Sequence, residues 1–186
     1  MTVNKWPVRT DRLELRPITM KDIDVLYALN SDPRVWAHMP SGVHTDPEKT
    51  AAQITRQVEA WDQSGLGYWT VWTPDGTFAG VGGCSVNAGV AWNVYYRFAS
   101  EAQGKGFASE LVQAAIPAAR ALRPDLPITA LLLEHNRASK SVAEKAGLHL
   151  AWRGQDEGNP DPDAVRLVYS DRNLTPEVLH VILAHA

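Results

Sequence analysis

A glycine-bearing turn between a strand-like run and a helix-like run constrains this chain more than any other feature. The run Trp92-Asn93-Val94-Tyr95-Tyr96-Arg97-Phe98 is dense in aromatic and β-branched residues, as strands are. After Gln103-Gly104-Lys105-Gly106-Phe107-Ala108-Ser109, the residues Leu111, Val112, Ala115, Ile116 and Ala119 recur at helical spacing. Strand, glycine turn and helix start together form a place that holds an anion. Glycine lets the backbone come close to a ligand, and the first helical turn leaves N–H donors unpaired at the positive end of the dipole. Lys105 adds a cation and Ser109 a hydroxyl donor. The alternative is a plain surface turn with Gly104 and Gly106 at positive φ.

Two familiar phosphate loops can be compared with this one. The string Gly-x-x-x-x-Gly-Lys-Ser/Thr does not occur. A dinucleotide fingerprint runs its strand directly into Gly-x-Gly-x-x-Gly. Here Ala99 to Gln103 intervene and Ser109 stands at the third glycine, although Glu134 is placed to mimic the ribose-binding acid.

A chain of 186 residues, 45% hydrophobic and 21% charged, can bury one substantial core and is not of disordered composition. The net charge of −3 and the absence of a basic run argue against a nucleic-acid surface. A single cysteine, Cys84, excludes an intrachain disulfide and reads as a buried structural thiol. Met1 to Pro7 lack the apolar stretch of a signal peptide, and no apolar run is long enough for a membrane span, so the expected compartment is the cytoplasm. The six histidines show no ligand spacing that implies a metal.

Local signals outline the other elements. Leu13 and Leu15 alternate with charged residues as in a half-exposed strand. Thr19-x-x-Asp22 starts one helix and Asp46-Pro47-Glu48 another, which Gly65 ends. Tyr68 to Trp72 and Thr77 to Ser85 form a hairpin around Pro74-Asp75-Gly76. The helix after the glycine turn is expected to kink or stop at Pro117. Two strands follow Gly147, near Leu148 to Arg153 and Val165 to Tyr169, and Thr175-Pro176-Glu177 opens a terminal helix.

A second motif decides among the phosphate-loop readings. Asn136-Arg137-Ala138-Ser139-Lys140-Ser141-Val142-Ala143-Glu144-Lys145-Ala146-Gly147-Leu148 follows the apolar run Ile128 to Leu133. Together with the Gln-x-x-Gly-x-Ala-type segment Gln103 to Ala108, it resembles the GNAT superfamily of acyl-CoA-dependent N-acetyltransferases. Asp11-Arg12-Leu13-Glu14-Leu15-Arg16-Pro17 resembles the opening of the branch that acetylates ribosomal-protein N-termini. The resemblance spans roughly residues 9 to 170.

The resemblance implies an α/β (α+β) fold, with a mixed central sheet of about six to seven strands flanked by helices. It implies one domain over residues 1–186, with a core at about 9–170 and an added C-terminal helix at about 175–185 that is a candidate for packing across a homodimer. It implies direct transfer of an acetyl group from acetyl-CoA to a primary amine, on a protein N-terminus or a small molecule, with no metal, nucleic acid or membrane. Phe98, Gln103, Gly104, Lys105, Gly106, Phe107, Ala108, Ser109, Asn136 and Ser139 would hold the cofactor. The family's leaving-group tyrosine position is Ala143 here, which leaves Ser139 to serve the departing thiolate. Asn93 stands near the position of an acid that is common in this branch. Glu134 and His135 are alternative bases, as is His38. The acceptor pocket falls to loops 31–46 and 154–164, with Trp36, His38, Asp156 and Glu157 as candidates and Asp161 and Asp163 nearby. Serine and asparagine have structural readings too, Ser139 supporting the helix start and Asn136 capping it. Two further readings remain: transfer of a longer acyl group such as succinyl, and a non-catalytic acyl-CoA-binding module, which Asn93 and Ala143 motivate.

Overall fold

In the computed structural model, which describes residues 7–185, the strand at the heart of the molecule sorts its side chains into two layers. Along β5 (Ala91–Phe98), Trp92, Val94 and Phe98 face one hydrophobic core, while Tyr95 faces a second. The first core is closed by α3 (Phe107–Leu122), whose Leu111, Val112, Ala115, Ile116 and Ala119 form the buried stripe that the spacing predicts. α4 (Arg137–Lys145) adds Ala143 to the same side. The second core lies under α1 (Ile23–Ser31) and α2 (Pro47–Ser64), which bury Leu26, Leu29 and Ile54 with Trp36 and Tyr68. Gly82 brings α3 onto the sheet: a Cβ there would collide with the Tyr95 carbonyl and lie 2.6 Å from Leu111 Cδ2.

The remaining strands are β1 (Val8–Arg9), β2 (Glu14–Pro17), β3 (Tyr68–Trp72), β4 (Phe78–Asn87), β6 (Ile128–Leu133), β7 (His149–Gln155) and β8 (Val165–Ser170). They form one sheet in the order β1-β2-β3-β4-β5-β6-β8-β7, antiparallel except between β5 and β6. Eight strands exceed the six to seven expected. β1, only two residues long and paired through Val8↔Leu15, is too short to show alternation in sequence.

The caps behave as the local chemistry dictates. Asp46 Oδ1 accepts from the Glu48 N–H at 2.9 Å, and α2 ends at Gly65. Pro117 does not interrupt α3, which continues to Leu122. The proline and Gln113, whose carbonyl loses its helical partner, both lie on the exposed face, where that carbonyl is open to solvent. Cys84 is buried and its thiol is pushed up to about 12 by desolvation, which leaves it unreactive. The C-terminal helix α5 (Pro176–Ala184), capped by Thr175, buries Ile182 within its own chain. Among the described residues no helix is long and apolar enough to cross a membrane, and no group of three or more His, Cys, Asp or Glu is placed to hold a metal. The leader reading concerned Met1 to Pro7, of which all but the proline lie outside the described residues.

Candidate active site

The two central strands part company early. β5 and β6 pair only at Trp92↔Ile128 and Asn93↔Thr129, although β5 runs on to Phe98 and β6 to Leu133. The Trp92 N–H donates to the Pro127 carbonyl at 2.8 Å, so even-numbered residues of β5 turn their peptide groups toward β6. Beyond the last pair, the Val94 carbonyl and the peptide groups of Tyr96 and Phe98 therefore face a gap with no partner strand. Such an edge binds an extended, amide-bearing ligand as a strand would. Gln103 Nε2 donates to the Phe98 carbonyl at 3.1 Å and ties the following loop to the end of the strand.

The glycine turn lies at the mouth of that gap. Gly104 and Gly106 both have left-handed backbones, with φ of 74° and 80°, and Gly106 is the N-cap of α3. No side chain caps this helix, so the N–H groups of Phe107, Ala108 and Ser109 keep the anion-binding character of a free helix start. Lys105 is exposed beside them, whereas the Phe107 ring packs against Phe98 in the core, leaving its backbone to face a ligand. An open cradle with uncapped donors fits the pyrophosphate of a CoA-type cofactor.

Arg12 buttresses the turn from the other end of the sequence. Its guanidinium donates to the Lys105 carbonyl at 2.8 Å, pairs with Glu110 at 2.7 Å and lies over the Phe107 ring.

Across the gap, α4 begins where Asn136 Oδ1 accepts from the Ser139 N–H at 3.1 Å, so Asn136 is an N-cap. The Tyr96 hydroxyl donates to the Ser139 carbonyl. Burial pushes that phenol up to about 12, so it keeps its proton at neutral pH. Ala143 is buried beneath and offers no polar group.

The opposite face of β5 carries Asn93, Tyr95 and Arg97. Asn93 Oδ1 is buried and has no hydrogen-bond partner among the described residues. Asn93 stands level with Thr129 and outside the cleft of about 320 Å³ that the loop after α1 and the loop between β7 and β8 enclose, which is lined by His38, Ser41, Leu133, His135, Asn159 and Asp161 among others. A short bond between His135 Nε2 and the His38 carbonyl, 2.7 Å, ties the turn after β6 to the loop after α1. Burial holds the His38 imidazole below its ordinary value, with the charges of Arg97 and His135 acting the same way.

Trp36 forms the layer behind that cleft rather than its lining. Its indole N–H donates to the Asn30 carbonyl at 2.7 Å, its ring stacks on His38, and Arg97 and His44 also lie against it.

Two expected site residues are drawn into other work, and a third lies outside the cleft. Glu134 is held in a two-pronged pair with Arg153, at 2.6 and 2.9 Å, and this bond keeps its carboxyl below the usual range. A carboxylate so engaged is a poor base. Asp156 is 7% exposed and grips Arg166 at 2.7 and 2.9 Å, with Asn159 on the same carboxylate. Burial raises its pKa, the Arg166 and Asn159 hydrogen bonds outweigh that effect, and the net result is an ionised staple across the β7–β8 loop. Glu157 is exposed on that loop and does not line the cleft, whereas Asp161 does.

Tyr96, Arg97 and Arg12 are the residues that sequence reasoning passed over. Tyr96 and Arg97 stand in the strand before the turn, where alternation separates their faces; nothing local marks Arg12 as a neighbour of Lys105.

The comparisons with known proteins agree with this geometry. The family model described as an acetyltransferase (GNAT) domain matches residues 12–149. Among solved structures, a putative GnaT-family acetyltransferase from Bordetella pertussis is 21% identical, with a TM-score of 0.75 over 89% of this chain and 99% of that one. The RimL ribosomal L7/L12 alpha-N-protein acetyltransferase in complex with coenzyme A is 21% identical, with a TM-score of 0.72 over 89% of this chain and 96% of its own. The Salmonella typhimurium acetyl transferase that modifies the N-terminal serine of ribosomal protein L7/L12 is 20% identical, with a TM-score of 0.70 over 89% and 97%. A comparison with curated proteins returns no match. With its β5–β6 gap, its glycine-turn helix start and a family match over most of its length, the chain belongs to the GNAT acetyltransferase domain family.

Proposed function

We propose that this protein transfers an acetyl group from acetyl-CoA directly to a primary amine bound in the cleft between the α1–α2 and β7–β8 loops. The observation that carries the reading is the early end of the β5–β6 ladder beside an uncapped helix start with two left-handed glycines. The solved relatives support it, since one is described in complex with coenzyme A and another as modifying an N-terminal serine.

When bound, acetyl-CoA supplies an activated thioester, at which a C–N bond forms as the C–S bond breaks, the amine losing a proton and the sulfur gaining one. The chain's residues divide the remaining tasks. Backbone donors at 107–109 and the Lys105 ammonium hold the pyrophosphate. The gap-facing Val94 carbonyl and Tyr96 peptide groups orient the pantetheine arm, and the Tyr96 N–H stabilises charge at the thioester oxygen. The Tyr96 phenol and the Ser139 hydroxyl are the proton donors nearest the gap. Asn93, whose buried side-chain oxygen lacks a partner among the described residues, is not a wall of the cleft and would act on the amine only through an ordered water. His38, kept neutral by its surroundings, lines the cleft and would take up the amine's proton through a water, whereas Glu134 is engaged by Arg153.

A second reading, a CoA-binding module without turnover, draws on Asn93 and Ala143 at positions where family members carry acid and tyrosine. The two separate in one experiment. Acetyl-CoA is titrated into the protein by thermal unfolding, and thiol release is then followed with a broad panel of amines. Stabilisation plus amine-dependent release supports the enzyme. Stabilisation without release supports the module, and neither would refute both.

A further inference from the structure

Arg97 carries a buried positive charge that nothing in its surroundings neutralises. Its side chain projects from β5 into the second core, and the residue is 9% exposed. The guanidinium carbon lies 3.1 Å from the centroid of the Trp36 ring and 5.4 Å from that of Tyr95. Its hydrogen bond to Asn30 Oδ1 is 3.3 Å long. These neighbours and the Tyr68 phenol, which also acts on the guanidinium, are neutral, and among the described residues no carboxylate forms an ion pair with it. The contrast with Asp156, the buried carboxylate of this chain, is direct: Asp156 has a two-pronged arginine partner.

An uncompensated buried charge is costly, and an apolar side chain of similar volume would pack as well. A stacking role alone therefore does not account for a guanidinium here. Its location supplies the missing reason. Trp36 stacks on Arg97 with one face and on His38 on the other side, and His38 is a wall of the acceptor cleft. The charge of Arg97 is felt at that imidazole. On the opposite loop, Asp161 supplies negative charge to the same cleft. The cleft is thus positive behind its His38 wall and negative at its Asp161 wall.

We propose that the acceptor is an amine that also carries a carboxylate, an amino acid or a peptide N-terminus followed by an acidic residue, with the carboxylate held at the His38 end of the cleft by the buried charge of Arg97. The proposal rests on the acceptor-cleft reading above and narrows it to a substrate class. In a low-dielectric setting a fixed charge behind a wall acts through it, since little water intervenes to screen it.

The test compares matched acceptors that differ only in charge: amino acids against their amides, and dipeptides with Glu against Gln in the second place. Two variants are measured beside the natural protein. Arg97→Gln removes the charge. Asn30→Asp leaves the arginine in place and gives it an internal carboxylate at the existing hydrogen bond, so that the fold is supported rather than weakened. The natural protein is expected to favour the carboxylate-bearing member by about threefold or more in kcat/KM, the scale of a charge–charge attraction acting through an intervening ring layer. Both variants should abolish that preference, and Asn30→Asp should do so with unchanged turnover of neutral amines and a Tm that does not fall.

Binding of N-acetyl amino acids against N-acetyl amino amides in the presence of CoA, measured by calorimetry, gives the same comparison without turnover. A preference that survives in Asn30→Asp, or a natural protein indifferent to the carboxylate in both measurements, overturns the proposal. Binding that shows the preference in a protein that fails to release thiol would sustain it while refuting transferase activity. The amino-acid and dipeptide arms separate a free small molecule from a peptide as the source of the carboxylate.

Discussion

The Tyr96 hydroxyl and the Ser139 carbonyl, 3.1 Å apart, join the strand on one side of the β5–β6 gap to the helix on the other. Both residues border the place where a thiolate would leave, and the phenol keeps its proton because burial opposes its ionisation. Tyr96→Phe is expected to lower kcat by about 10²-fold or more, the contribution of a positioned general acid, with acetyl-CoA affinity nearly unchanged. Steady-state kinetics beside a direct cofactor titration checks this. Loss of affinity without loss of kcat would show that the bond only shapes the gap. Ser139→Ala should also lower turnover more than affinity, and by less than Tyr96→Phe.

Gly106→Glu is expected to abolish acetyl-CoA binding. The position has φ of 80°, which a side chain strains, and a carboxylate there would face the pyrophosphate. Ligand-induced thermal stabilisation is the measurement; an unaltered shift would place the phosphate site elsewhere.

Arg12→Ala removes the contacts to the Lys105 carbonyl and to Glu110. Because Arg12 is exposed, little stability should be lost, whereas the loop it braces should bind acetyl-CoA about tenfold more weakly, the effect of one lost hydrogen bond to a charged group. Isothermal titration beside thermal unfolding distinguishes this from general destabilisation.

Acidification should destabilise the protein through His44. This residue is buried, its Nδ1 lies 2.7 Å from Thr50 Oγ1, and desolvation, aided by Lys49, Arg97 and Arg56, brings its imidazole down to about 4. The unfolded chain takes up the proton near the ordinary value of about 6.5, so between these values it binds more protons than the folded protein does. The contribution is thus complete above pH 6.5 and is lost as pH falls toward 4. Tm measured from pH 7.5 to 4 should decline through that window in the natural protein and decline less in His44→Asn.

What could be read from the sequence was what nearest neighbours determine. Asp46, Gly65 and Thr175 mark helix ends because each acts within a few residues of itself, and Gly104 and Gly106 mark the turn because only glycine suits its backbone. Pro117 misled because its effect depends on whether the orphaned carbonyl meets water, which is a matter of which face it occupies. The partners of Arg12, Asp156 and Glu134 lie 93, 10 and 19 residues away, so their engagement is settled by tertiary packing. Arg97 was the hardest to read, because what distinguishes it is a missing counter-ion, and sequence does not display absences.

Parallel pairing at two positions is all that laces β6, β8 and β7 to the rest of the sheet. A cofactor laid along β5 would therefore be a structural member as well as a reactant, adding to the short ladder and the shared core that join the two halves of the sheet. Backbone amide exchange at Leu131 to Leu133 would then register cofactor occupancy, making this inner strand a gauge of how firmly the molecule is closed.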